Sequence, residues 1–84
     1  MKKEVEQQVT AFFREYAMKV LITAHVDPNN AHGVKTAMLD HYEQIYPAFT
    51  LTPAFKAYNK SRYHDDMVEA YRYCFSLLLQ GRVP

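Results

Sequence analysis

Histidine and aspartate are the residues of this 84-residue chain that could bind a metal ion. His25, Asp27 and His32 flank one turn-rich segment and could in principle converge on one ion. A zinc site commonly needs three or four ligands in compatible geometry. No two of the four histidines have the i, i+4 spacing of a helical metal site. We therefore expect neither a metal site nor a cofactor.

The chain also carries few of the residues that covalent catalysis needs. Cys74 is the only cysteine, so an intramolecular disulfide is excluded. It lies within an apolar segment, whereas a nucleophilic thiol needs partial exposure and a basic neighbourhood. No serine stands in a nucleophile-elbow motif, and the two isolated glycines form no phosphate-binding loop. Asp65 and Asp66 are adjacent, so on a helix they diverge by about 100°. The sequence predicts a protein that is not an enzyme.

Composition and charge narrow the class of protein further. Apolar residues make up 49% of the chain and aromatic residues 14%, which is enough for a folded core. The formal net charge of +1 calls for no nucleic acid, lipid or acidic partner. The N-terminus lacks a signal-peptide core, and no apolar run approaches the ~20 residues of a membrane span. We expect one helical domain over residues 1–84, located in the cytoplasm and without membrane attachment.

Apolar residues recur at helical spacing along most of the chain, which predicts an all-α fold. The first helix is expected over residues 3–26, ended by Asp27-Pro28. A second helix should run from an Asn30 cap to Pro47. Thr52-Pro53 then reads as an N-cap and first helical position for a short helix from Ala54 to Tyr58.

The last helix is expected over residues 62–80. Ser61 can cap its N-terminus, and Gly81 stands where a C-terminal cap belongs. The sequence thus predicts a small helical bundle of three long helices and one short helix, with the long helices at both ends of the chain.

Two of these helices carry more apolar surface than one buried face requires. The polar residues of the last helix fall within an arc of only about 100°. On the first helix, three apolar residues point to nearly the opposite side from the main stripe. The predicted partner or self-association surface is Ala11, Met18, Ile22, Tyr71, Tyr73, Phe75 and Leu79. Isolated exposed apolar residues are also normal on protein surfaces, so the line on the first helix has that simpler interpretation.

The function predicted from this surplus is a small protein-binding module: an adaptor, an inhibitor or a regulatory subunit. Low net charge favours self-association, and among homo-oligomers a dimer is favoured. The sequence leaves open which of the three roles applies and which protein is the partner.

The alternative is a small nucleic-acid-binding regulator. A basic-aromatic cluster is formed by Lys56, Tyr58, Lys60, Arg62 and Tyr63. Positions 53 to 62 contain its three cations and no acidic residue, a local charge of +3. Cations contact phosphates, and tyrosines can stack on unpaired bases. No basic recognition helix stands out elsewhere, so we expect this function less than protein binding.

Overall fold

The computed structural model of the protein describes residues 2–84. That part of the chain is all-α and contains no strand, as the sequence predicts. Its helices are α1 (Lys2–Ala24), α2 (Ala31–Leu39), α3 (Tyr42–Thr50), α4 (Pro53–Tyr58) and α5 (His64–Leu79). None of them is long and apolar enough to span a bilayer.

The core is built on the two long helices, which make the most extensive helix–helix contact in the bundle. The buried residues of α1 recur every four positions: Val5, Val9, Phe13, Ala17 and Leu21. Each such step advances about 40° beyond a full turn, so the buried stripe drifts around α1 along its length. The helices that complete the bundle therefore contact different sides of α1 at its two ends.

The buried face of α5 is narrower than its apolar composition indicates. Met67, Ala70, Cys74 and Leu78 are buried, at steps of three and four residues. This face packs on α1, and α2 packs on both long helices. Aromatic residues on one flank of α5 are only partly buried and pack against the edge of this core.

The predicted second helix is in fact two helices, which corrects the expected count. Asp40 and His41 form a turn between α2 and α3, and Pro47 lies inside α3 instead of ending it. The proline cannot donate a backbone hydrogen bond to the carbonyl of Glu43. Because this side of α3 is exposed, water can satisfy that carbonyl. The apolar spacing continued across the turn, so periodicity alone did not reveal it.

Capping residues explain where the shorter helices begin. Asn30 Oδ1 accepts from Gly33 N at 3.1 Å at the start of α2. Thr52 Oγ1 accepts from Phe55 N at 3.2 Å at the start of α4, as predicted. Ser61, however, does not cap α5: its hydroxyl accepts from Tyr63 N at 3.0 Å, inside the turn that precedes the helix. The N-cap position of α5 has no side-chain hydrogen bond.

Both long helices end in the same hydrogen-bonding motif. At the end of α5, Arg82 N bonds Leu77 O and Gly81 N bonds Leu78 O, with Gly81 at φ +82°. This is a Schellman motif, in which the residue after the cap takes a left-handed conformation. At the end of α1 the equivalent left-handed position is occupied by His25, at φ +56°. Gly81 is thus the C-terminal cap that the sequence predicts, whereas His25 takes a conformation that favours glycine.

Candidate interaction site

A cluster of aromatic rings joins α3 to the two long helices. The ring of Tyr71 on α5 lies 4.9 Å from that of Phe13 on α1 and 5.0 Å from that of Phe49 on α3, centroid to centroid. Phe49 also packs on Phe12 and on Phe55, at 5.2 and 5.7 Å. These separations are typical of favourable aromatic pairs. The contact between α3 and α5 therefore consists largely of bulky rings, which hold the two helices apart.

A groove of about 440 Å³ lies between α3 and α5. We call it the α3–α5 groove, and its lining residues are Tyr42, Glu43, Tyr46, Tyr71, Arg72 and Phe75. A smaller hollow of about 260 Å³ adjoins it and shares three of these residues. On each helix the aromatic pair has i, i+4 spacing, which places both rings on one face.

The groove combines an aromatic floor with an exposed aromatic rim. Tyr71 and Phe75 are partly buried and stack against each other, with ring centroids 6.0 Å apart. Tyr42 is 49% exposed and Tyr46 is 54% exposed. Two large half-exposed rings thus lie beside a mostly apolar hollow.

One acidic and one basic residue stand on opposite walls of the groove. Glu43 lies on α3 and Arg72 on α5. Within residues 2–84 the only ion pair closer than 4.0 Å joins Lys2 to Glu69, so Glu43 and Arg72 are not paired with each other. Tyr42 donates its hydroxyl to Glu43 at 3.1 Å, and this bond to the carboxylate raises the pKa of Tyr42.

The hydroxyl of Tyr71 is the one buried side-chain polar group in residues 2–84 that lacks a hydrogen-bond partner. Burial raises the pKa of Tyr71 to about 12, and the neighbouring Tyr46 and Tyr16 contribute in the same direction. The group is therefore neutral over the whole physiological range. The ring of Tyr71, in the floor of the groove, contacts the ring of Tyr46 in the rim, with centroids 5.8 Å apart.

The predicted surface residues of α5 do not all lie on one face. Tyr71 and Phe75 both line the groove, and Leu79 follows them at the same four-residue spacing. Tyr73 is 64% exposed but lies on the other flank of α5, beside Thr10 of α1.

The three predicted residues of α1 are also divided. Ala11 is exposed and Ile22 is 68% exposed, whereas Met18 is partly buried and packs against the core. Spacings of seven and four residues keep the three within about 40° of one another around α1. The partly buried Met18 therefore interrupts the exposed surface between Ala11 and Ile22.

The basic-aromatic cluster has exposed cations but engaged tyrosines. Lys56, Lys60 and Arg62 are exposed. Tyr58 is only 7% exposed, and its hydroxyl accepts from Gln8 Nε2 at 3.0 Å. Tyr63 packs edge-on against Tyr58, while Arg62 donates to its hydroxyl at 2.8 Å and lies 5.0 Å from its ring centroid. The cluster as folded thus presents positive charge, with no free tyrosine face at Tyr58.

The groups that could support metal or thiol chemistry are dispersed or buried. Among residues 2–84, no three His, Cys, Asp or Glu side chains lie close enough together to hold an ion. Cys74 is buried in the core, 3.6 Å from the hydroxyl of Thr10. Burial raises the pKa of the Cys74 thiol, although the Thr10 contact and the charge of Arg14 lower it in part.

Sequence reasoning did not include Tyr42 and Tyr46 among the site residues. Both tyrosines lie near the edge of the apolar stripe of the single second helix that the sequence predicts, where they either edge the core or contribute to an interface. The turn at Asp40 and His41 starts a new helix whose orientation is set by ring packing, and no local signal fixed that orientation. The i, i+4 spacing of the two tyrosines was the signal that could have suggested a shared face.

The fold and site together define a small helical bundle with an open aromatic groove. Comparison of the chain with protein-family models, curated proteins and solved structures finds no match.

Proposed function

We propose that the protein is a non-enzymatic, cytoplasmic protein-binding module, acting as an adaptor, an inhibitor or a regulatory subunit, whose α3–α5 groove binds either another protein or a second copy of this chain. The observation that supports this proposal is the groove itself, with its partly buried aromatic floor and half-exposed rim of Tyr42 and Tyr46. Tyrosine is enriched at protein interfaces because its ring buries a large apolar area while its hydroxyl remains hydrated.

The chemistry of the groove favours a protein ligand. Five of the six lining residues carry either an aromatic ring or a positive charge that an interface can use: four rings and one arginine. Aromatic residues and arginine supply most interface hot spots. The groove is also open to solvent, so an apolar side chain of a partner can enter it from outside.

The test compares two exposed tyrosines, Tyr42 in the groove and Tyr73 on the other flank of α5. Tagged protein is incubated with lysate of the native source, with and without nuclease, and bound proteins are identified by mass spectrometry. Tyr42→Ala should lose a partner that the wild type retains after nuclease treatment. Tyr73→Ala is the matched control and should retain it, because Tyr73 is more exposed than Tyr42 but lies outside the groove.

Equal retention by both variants would show that the groove is not the binding surface. Loss of all bound protein on nuclease treatment would instead favour the second candidate function. Circular dichroism of both variants checks that each keeps the helical fold.

The second candidate is nucleic-acid binding, which the exposed cations Lys56, Lys60 and Arg62 support. These residues can contact phosphates, but the burial of Tyr58 leaves fewer rings for base stacking. Changing all three to Glu should abolish nucleic-acid binding if this cluster is the site. Binding that survives the change would place the site elsewhere.

A further inference from the structure

The α3–α5 groove has an exposed aromatic rim on one wall and an apolar hollow beside it. The rim formed by Tyr42 and Tyr46 projects from α3, since about half of each residue is exposed. Beside it runs the apolar hollow against α5. A surface that carries a ridge next to a matching groove can pair with a copy of itself, because a two-fold axis brings the ridge of each copy to the groove of the other.

The two walls are complementary in charge. Glu43 on α3 and Arg72 on α5 line the same groove without pairing in the monomer. In a two-fold interface, if residue i contacts residue j of the partner, then j contacts i of the partner. One acidic and one basic residue on opposite walls are thus sufficient for two intermolecular ion pairs.

We infer that the occupant of the groove is a second copy of this chain, related by a two-fold axis that runs along the groove, with Glu43 of each copy paired to Arg72 of the other. This inference rests on the proposed function and names the partner for the same site. It does not use the α1 residues Ala11 and Ile22, which lie apart from the groove.

The charges select this axis over its simplest alternative. An axis along the groove places α3 of one copy over α5 of the other, so Glu43 faces Arg72. An axis across the groove would place α3 over α3 and bring each charge against its own kind. Like charges at close range oppose association, so the second arrangement is disfavoured.

The overall charge of the protein permits such pairing. A net charge of +1 produces only weak repulsion between two copies. Net charge therefore does not oppose the ion pairs between Glu43 and Arg72 of the two copies.

The experiment uses the purified full chain at low salt, with mass measured by sedimentation equilibrium over a range of concentrations. The wild type should approach twice the 9.8 kDa mass of one chain. Glu43→Arg and Arg72→Glu should each weaken the dimer by about tenfold or more, because the two-fold axis repeats every charge reversal.

Mixing the two single variants provides a signature that misfolding cannot mimic. In a heterodimer of Glu43→Arg with Arg72→Glu, both ion pairs become attractive again, with their signs exchanged at one site. Native mass spectrometry should therefore detect the mixed dimer at concentrations where neither variant pairs with itself. The double variant should likewise regain the homodimer.

Several results would overturn the inference. If the wild type remains at 9.8 kDa at high micromolar concentration while Tyr42-dependent capture of another protein persists, the groove binds a different protein and the proposed function stands. If a dimer forms but neither charge reversal weakens it, the contact lies elsewhere. If there is neither a dimer nor Tyr42-dependent capture, both proposals fail together.

Discussion

A methyl group added at Gly81 should strongly lower the free energy of unfolding. The residue is buried, has φ +82°, and lies against the first residue of α2. A Cβ at this position would overlap the carbonyl oxygen of Ala31 and lie 2.7 Å from its carbonyl carbon, where ordinary contacts are 3.4–4 Å. Since the obstructing atoms belong to the backbone, no side-chain rotation can relieve the overlap.

Three contributions determine the expected effect of Gly81→Ala on the free energy of unfolding. A left-handed conformation costs a residue with a Cβ about 1–2 kcal/mol. Displacing packed backbone costs about 1–3 kcal/mol more. The reduced entropy of the unfolded alanine chain returns about 0.4–1 kcal/mol. We expect a net loss of about 2–4 kcal/mol, a large part of the ~5–15 kcal/mol that stabilises a typical domain.

His25 provides a control that isolates the conformational contribution. It occupies the equivalent position after α1, also left-handed, but it is exposed. His25→Gly should therefore be more stable than His25→Ala by about 1 kcal/mol. Because position 25 is exposed, this difference measures the cost of the left-handed conformation alone, without a steric clash.

Urea denaturation followed by circular dichroism measures all four proteins. The loss caused by Gly81→Ala should exceed the difference between the two position-25 variants by about 1–3 kcal/mol. An excess of zero would mean that the end of α5 does not press on the start of α2.

Two further predictions concern groups inside the bundle. Tyr71→Phe removes a buried hydroxyl that has no partner, so the free energy of unfolding should stay the same or rise by up to about 1 kcal/mol in urea titrations. Because the pKa of Tyr71 is raised from 10.0 to about 12, this group adds no pH dependence to stability below pH ~10, and its ionisation in the unfolded chain lowers the free energy of unfolding as the pH rises to about 12. Between these pH values the free energy of unfolding of Tyr71→Phe should fall less than that of the wild type. An equal fall in both proteins would show that ionisation of Tyr71 does not contribute. The buried thiol of Cys74, with its raised pKa, should react with a disulfide reagent at least about a hundredfold more slowly than a free cysteine, and urea should abolish this protection. Reaction at the free rate in the native protein would show that the thiol is accessible.

The features that sequence predicted are those that local signals determine. α1 and α5 were expected within two residues of their observed ends because long apolar stripes meet clear stop signals there. The caps at Asn30 and Thr52 were expected because a side-chain oxygen at the N-cap satisfies backbone donors whatever the tertiary context.

The features that sequence did not predict depend on tertiary packing. A proline ordinarily disfavours helical geometry in the residue before it, which made Pro47 look like the end of a helix. Tyr46 is nevertheless helical, and its ring packs edge-on against both Phe55 and Tyr71. Ring contacts between distant helices thus accompany a backbone conformation that the local sequence disfavours.

The same ring contacts explain why the groove stays open. Phe49 and Tyr71 fill the space between α3 and α5, and Phe12 and Phe13 support them from α1. Smaller residues at these positions would let α3 settle directly on α5 and bury the aromatic rim. Instead, the rings occupy this space, and Tyr46 remains 54% exposed. Apolar surface held open by the core itself is available to a partner without any rearrangement, which lowers the entropic cost of binding.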